Sequence, residues 1–178
     1  YLKKINNFDN IIPCRLGKLN KETKYILNYF KIEPPLLISK ISPTNKIILV
    51  DHNSFSQSLD FKNANIVGIL DHHNITGLDW TNSTKIMYRA WGSTCTIIYE
   101  LYKENKIKMP DYIASLLLSG IISDTLLLKS PTTTKIDEKV LNELVKITNI
   151  DLEKLALGMF KANDAAKSKS IKEIVYMD

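Results

Sequence analysis

Cysteine is scarce in these 178 residues: only Cys14 and Cys95 occur, far apart. Two distant thiols make no disulfide framework and point to a reducing, cytoplasmic setting. Long apolar runs are lacking as well. The longest, residues 113–128, is broken by Ser115, Ser119, Gly120, Ser123 and Asp124, whereas a membrane span needs about 20 mostly apolar residues. The opening Tyr1-Leu2-Lys3-Lys4 runs into Asn6-Asn7 without the apolar stretch of a secretory signal. There is no internal repeat and no low-complexity tract. Negative charge is in slight deficit, with a net charge of +5. The lysines are scattered, however, and the one tight group, at Lys167, Lys169 and Lys172, lies near the end of the chain. Scattered lysines form a solvated surface, and no module interleaves aromatic with basic residues, so neither nucleic acid nor membrane is an expected partner.

What remains is ordinary for a soluble globular domain: 44% apolar and 24% charged residues, in a length that suits one core. Residues 1–5 read as the last turn of a helix, and 11–14 as a short strand. Asn20 caps a helix with Tyr25, Ile26, Tyr29 and Phe30 at helical spacing, and Pro34-Pro35 stops it. Residues 46–51 (KIILVD) and 65–71 (NIVGILD) share one design, a nearly continuous apolar run closed by a carboxylate. Such runs suit parallel strands buried on both faces. Residues 85–90 (KIMYRA) alternate, with Ile86, Tyr88 and Ala90 on one face and Lys85, Met87 and Arg89 on the other, as in a half-exposed edge strand. Helices follow over 93–105, 110–127, 136–148 and 151–162, with Pro110 tolerated in a first turn and Thr134 and Asp137 forming a capping box. The expectation is an α/β domain with a mostly parallel sheet flanked by helices.

All three histidines fall in Asp51-His52-Asn53 and Asp71-His72-His73, each segment opening with an aspartate at a strand's C-terminal end. Ligand crevices of parallel sheets lie outside those ends. A lone Asp-His after a strand is ordinarily a capped loop, but two such segments holding every histidine make a metal site the better reading. Mixed carboxylate and imidazole donors suit manganese, zinc or iron more than calcium. Asp124 interrupts an apolar helix, where an ionised carboxylate is costly without a compensating cation. A solvent-reached helix end is the plainer alternative. Beyond it, Lys129-Ser130-Pro131-Thr132-Thr133-Thr134 offers a lysine and hydroxyls suited to phosphate, although such clusters are also common turns.

Together these segments resemble the DHH phosphoesterase superfamily, named for the triplet at Asp71, His72 and His73. Within it they resemble the manganese-dependent (family II) inorganic pyrophosphatases. The narrower likeness rests on Arg15-Leu16-Gly17 leading to Asn20-Lys21-Glu22-Thr23, on Leu49 to Asn53 with Gln57-Ser58, and on Ser123-Asp124-Thr125 through Lys129-Ser130-Pro131-Thr132. The resemblance implies hydrolysis of pyrophosphate by two or more Mn2+ ions, with Co2+ or Mg2+ as substitutes. It makes Asp51 the carboxylate shared by both metals and a catalytic residue. His72 and Asp124 become metal ligands, and Asp71 a partner that orients the histidines. His73 contacts phosphate and leaving group, and Lys129 joins the substrate contacts. It also implies a homodimer paired through residues 85–90.

The family's first metal-binding segment and its smaller C-terminal domain have no counterpart in these residues. Residues 1–164 therefore read as the metal-binding domain without its first motif, and 165–178 as the start of a linker. Such a chain alone is expected to be inactive. Asn74 and Trp91 stand where relatives usually have a basic residue and a valine. Ser93-Thr94 after Gly92, with Met159-Phe160-Lys161-Ala162, are similar to members carrying regulatory CBS domains, which would bring adenine-nucleotide control. Here residues 42–44 join the flanking elements directly. A DHH phosphodiesterase, an exopolyphosphatase and a non-catalytic interaction domain are the other readings.

Overall fold

A backbone period of 2.0 organises one unit of the molecule and a period of 3.6 the other. The computed structural model describes residues 11–53, 65–75 and 84–163. The expected helical turn at residues 1–5 and the Gln57-Ser58 segment lie outside these. In chain order the elements are β1 (Cys14–Arg15), α1 (Lys21–Phe30), β2 (Leu36–Leu37), β3 (Lys46–Val50), β4 (Asn65–Asp71), β5 (Lys85–Tyr88), α2 (Thr94–Glu104), α3 (Asp111–Thr125), α4 (Lys135–Thr148) and α5 (Leu152–Ala162). The described residues fall into a sheet unit, drawn from 12–18 and 35–90, and a helical unit, drawn from 11, 19–34 and 91–163. The α/β reading holds, and every described strand pairing is parallel.

In the sheet unit β3, β4 and β5 lie side by side in that order. The design shared by residues 46–51 and 65–71 does produce two parallel neighbours, with Val50 opposite Leu70. Their burial differs from expectation. β4 is well covered, with Ile66 and Ile69 packed against Leu49. β3 is covered on one face only, leaving Ile48 37% and Val50 45% exposed. A continuous apolar run says that a strand is possible on both faces, not that both are covered. The alternating segment is an edge among the described strands, as expected, but ends at Tyr88 rather than residue 90. The strand expected at 11–14 is instead β1, paired with β2 as a separate two-stranded sheet. Arg15 ties the pair together, its Nε donating to the Pro35 carbonyl at 3.1 Å. Residues 42–45 close into a tight turn, with the Asn45 N–H donating to the Ser42 carbonyl at 2.9 Å and Ser42 N–H to Asn45 Oδ1 at 3.1 Å. That turn is the direct junction seen in the sequence.

The helical unit is built around α3, which α2, α4, α5 and α1 all contact. Leu118, Ile121, Ile122, Val140, Leu144, Leu155 and Met159 are fully enclosed there. The hydroxyls that interrupt the apolar run fold back onto their own helix. Ser115, Ser119 and Thr125 donate to the carbonyls of Asp111, Ser115 and Ile121, so burying them leaves no orphan proton. Gly120 lets α2 approach closely, since a Cβ there would collide with Cys95 Sγ. Tyr99 and Lys103 of α2 both donate to Glu143 of α4, at 2.6 and 2.8 Å. These contacts hold the Glu143 carboxyl below its ordinary pKa, while burial and then Glu143 push the Tyr99 hydroxyl upward.

Caps refine the helix boundaries. Asn20 accepts from Thr23 N–H at 2.6 Å, as expected. The end of α1 differs. Lys31 takes the left-handed conformation (φ 54°), and the Lys31 and Ile32 N–H groups return to the Asn28 and Leu27 carbonyls. The helix thus stops before Pro34-Pro35, by a Schellman-type closure that lysine does not advertise. Tyr29, expected on the buried face, is 42% exposed and packs edge-on against Phe30. Pro110 is the residue before α3 rather than within its first turn. The capping box of Thr134 and Asp137 is present in full.

Candidate metal centre

The site begins with the two strand ends. The ladder between β3 and β4 continues one residue further, with Asp51 N–H donating to the Leu70 carbonyl at 2.9 Å. Asp51 then turns left-handed (φ 64°), a conformation aspartate tolerates better than most residues. This brings the Asp51 carboxylate beside the triplet that closes β4.

Asp71 is the anchor of that triplet. It is 1% exposed, yet accepts from His72 N–H at 2.7 Å, His73 N–H at 3.1 Å, His73 Nδ1 at 2.8 Å and Asn53 Nδ2 at 2.7 Å. Burial alone would raise its pKa. The bonds from His73, Asn53 and His72 outweigh that and hold the carboxyl below its ordinary value. With Asp71 ionised, the Nδ1 it binds on His73 carries the proton, which leaves Nε2 as that ring's lone-pair nitrogen. Asp71 thus holds the His73 ring in one orientation.

Asn53 was not foreseen as part of the site. Its buried amide bridges Asp71 Oδ2 and the Asn74 carbonyl at 2.7 and 3.2 Å, pinning the loop after β3 to the loop after β4. The only hint in sequence was its place beside Asp51-His52. His52 stands outside the cluster, with its Nδ1 3.2 Å from the Val50 carbonyl.

The result is a set of three potential ligands, Asp51, His72 and His73, each offering an atom within 4.8 Å of the others. His72 Nε2 lies 3.6 Å from Asp51 Oδ1, too far for a hydrogen bond. Bonds from first-row metals to such donors are roughly 2.0–2.2 Å long, so one ion can touch both atoms. The histidines differ in surroundings, with side chains 13% exposed for His72 and 55% for His73. His72 is sheltered against Asp51, whereas His73 is held by Asp71 and open to solvent.

The remaining expected residues belong to the helical unit. Asp124 sits in the last turn of α3, which contains no basic residue, at the end where the helix dipole disfavours negative charge. Its Oδ2 accepts from the hydroxyl of Ser93 at 2.5 Å, a partner no spacing rule would suggest. Between Asp124 and Lys129 the chain makes an unusual turn. Leu126, Leu127 and Leu128 are all left-handed, at φ 47°, 54° and 68°, a conformation costing about 1–2 kcal/mol for each such residue. Buried Thr125 holds it closed. Its carbonyl accepts from Lys129 and Ser130 N–H, both at 2.8 Å, and its hydroxyl accepts from Leu128 N–H at 3.1 Å. Lys129 is presented on the surface immediately beyond. The hydroxyls of Ser130 and Thr132 bond to each other, and Thr134 caps α4. Some of this supposed phosphate loop therefore has an ordinary turn-forming role.

The segments of the narrower likeness divide similarly. Asn20 is a helix cap, and buried Glu22 accepts from Asn163 Nδ2 at 2.8 Å, joining α1 to the residue after α5. Those positions shape the helical unit rather than its chemistry.

Residues 1–121 match the family model described as the DHH family, N-terminal domain. The chain belongs to the DHH family. This DHH chain is 42% identical over 169 residues to a protein of Oceanobacillus iheyensis named as a probable manganese-dependent inorganic pyrophosphatase, covering 94% of the chain and 55% of the relative. A Brevibacillus brevis protein of the same name is 40% identical over 171 residues, covering 95% and 55%. The fold is similar to the crystal structure of a Methanococcus jannaschii protein named as a putative family II inorganic pyrophosphatase. The TM-score is 0.80 at 38% identity, over 86% of this chain and 52% of that one. The DHH chain thus spans about half the length of the relatives it matches. Among the described residues, no helix is long and apolar enough to cross a membrane.

Proposed function

We propose that this DHH chain supplies metal-binding residues of a manganese-dependent enzyme that hydrolyses inorganic pyrophosphate. The observation carrying the proposal is the cluster of Asp51, His72 and His73 at the ends of two parallel strands, with Asp71 fixed behind it. The names borne by relatives about 40% identical support both the metal and the substrate.

The donor set fits manganese, which accepts carboxylate and imidazole together. Bound Mn2+ would neutralise phosphate oxygens and acidify the attacking water. The chain's own residues have separate tasks. Asp51, half exposed at its strand end, and sheltered His72 beside it would hold Mn2+. Asp124, at the end of α3, would also hold a metal ion. His73 is open to solvent while its Nδ1 is bound to Asp71, which suits contact with phosphate and proton delivery to the leaving group. Lys129 adds positive charge for the substrate.

The test is a chimera in which the 169 aligned residues replace the matching segment of the Oceanobacillus iheyensis relative. With Mn2+ it should release phosphate from pyrophosphate faster than from tripolyphosphate or a linear dinucleotide, and EDTA should stop it. A folded chimera without pyrophosphate hydrolysis rejects the proposal. Preference for tripolyphosphate or the dinucleotide would favour an exopolyphosphatase or phosphodiesterase.

We also propose that two copies pair through β5. It is an edge among the described strands, and Ile86 is 40% exposed on it. An uncovered edge invites another strand, and a symmetric pair would run antiparallel. Ile86→Asp should shift the chain from dimer towards monomer in sedimentation while its circular dichroism stays unchanged. A folded variant of unchanged mass would place the contact elsewhere.

A further inference from the structure

The structure assigns Ser93 as a positioning residue for Asp124, an inference that rests on the reading of Asp124 as a metal ligand. Ser93 is fully enclosed (0% exposed) and is the residue before α2. Its Oγ accepts from Cys95 N–H at 3.1 Å, capping the helix. A serine hydroxyl has one proton, and here it goes to Asp124 Oδ2 at 2.5 Å. The same oxygen therefore fixes the start of α2 and orients a carboxylate at the end of α3.

Ser93 is itself held from behind. Gly92 N–H donates to Asp137 Oδ2 at 2.8 Å, and Thr96 Oγ1 donates to Asp137 Oδ1 at 2.6 Å. A Cβ on Gly92 would stand 2.7 Å from that same Oδ2. The turn carrying Ser93 thus has little freedom to follow a moving carboxylate.

Two carboxylates of this unit make an instructive contrast. Asp137 lies in the first turn of α4, where the helix dipole favours its charge, with the Thr96 hydroxyl on Oδ1 and the Gly92 and Thr134 N–H groups on Oδ2. Asp124 lies at the opposite, unfavourable end of α3. The Ser93 hydroxyl holds the Asp124 carboxylate in one orientation, as partners behind a metal ligand commonly do.

The experiment separates capping from positioning. Glycine caps a helix nearly as well as serine but donates nothing, and threonine retains the hydroxyl. Mn2+ uptake by the chain is measured from loss of the free-ion electron paramagnetic resonance signal. Ser93→Gly should weaken it about tenfold, Ser93→Thr should remain close to the parent, and Ser93→Gly should have no added effect in an Asp124→Asn background. Thermal unfolding in EDTA of the parent, Ser93→Gly, Asp124→Asn and the double variant should show Ser93 and Asp124 coupled, at least about threefold in the unfolding constant. Parent-like Mn2+ uptake by Ser93→Gly overturns the assignment, and so does absence of coupling in EDTA. A parent that takes up no Mn2+ while the coupling persists instead overturns the metal reading and leaves the Ser93-to-Asp124 contact standing.

Discussion

In the chimera, Asp51→Asn is expected to abolish both tight Mn2+ retention and pyrophosphate hydrolysis while leaving the fold intact. The substitution keeps the size of the side chain and removes the negative charge on which two cations would depend. Loss of an outer partner of a metal ligand commonly costs about 10–100-fold in affinity, so loss of a shared ligand should cost at least about 100-fold. Asparagine is the right probe for a backbone reason. Asp51 sits at φ 64°, which asparagine accepts as readily as aspartate, whereas alanine would add strain of its own. The side chain is 49% exposed, so little packing is disturbed, and the backbone bond to Leu70 remains. Metal content after dialysis, and phosphate release by the chimera carrying the change, give the two readouts. A variant that still holds manganese as tightly as the parent would remove Asp51 from the site.

The grouping of Asp51, His72 and His73 was legible because its ingredients are local. Each carboxylate follows its own apolar strand, and parallel pairing of those strands is enough to bring Asp51 next to His72 and His73. The capping box at Thr134 was legible for the same reason, since its partners are three residues apart. What escaped depends on distant partners. Asn53 reaches Asp71 across 18 positions and Ser93 reaches Asp124 across 31. No periodicity encodes either, and an asparagine or a serine in a loop looks the same whether or not it meets a carboxylate. The burial of β3 was misjudged because an apolar run specifies what a strand tolerates rather than what covers it. The end of α1 was misplaced because prolines are conspicuous, whereas a left-handed lysine is seen only in the backbone. The turn at Leu126, Leu127 and Leu128 is a harder case of the same kind. Three leucines after a helix suggest more helix, and only the bonds converging on Thr125 show why the chain reverses hand.

Asp137→Ala should be among the most destabilising single changes in the helical unit, and the loss should not depend on metal. The carboxylate is 0% exposed. It accepts from Gly92 N–H and Thr134 N–H at 2.8 Å, and from the Thr96 and Thr134 hydroxyls at 2.6 Å. These groups come from the turn before α2, from α2 itself and from the cap of α4, so one side chain fastens two helix starts. Alanine would leave a cavity lined with donors that have lost their acceptor. An unmet buried group costs about 1–3 kcal/mol, and hydrogen bonds to charged groups lie at the upper end. Water entering the cavity and rotation of the hydroxyls would recover part of this, giving a net loss of about 3–4 kcal/mol. For a chain of this size that corresponds to a fall in Tm of roughly 6–16 °C. Thr134→Ala removes the cap and one hydroxyl donor to Asp137 but keeps the carboxylate, and should cost about 1 kcal/mol. Thermal unfolding followed by circular dichroism, with and without EDTA, measures both. If Asp137→Ala melts within 2 °C (about the measuring error) of the parent, the carboxylate does not hold these helices together. The rigid backing inferred for Ser93 would fail with it, and Asp124 would be left with a movable donor instead of a fixed one.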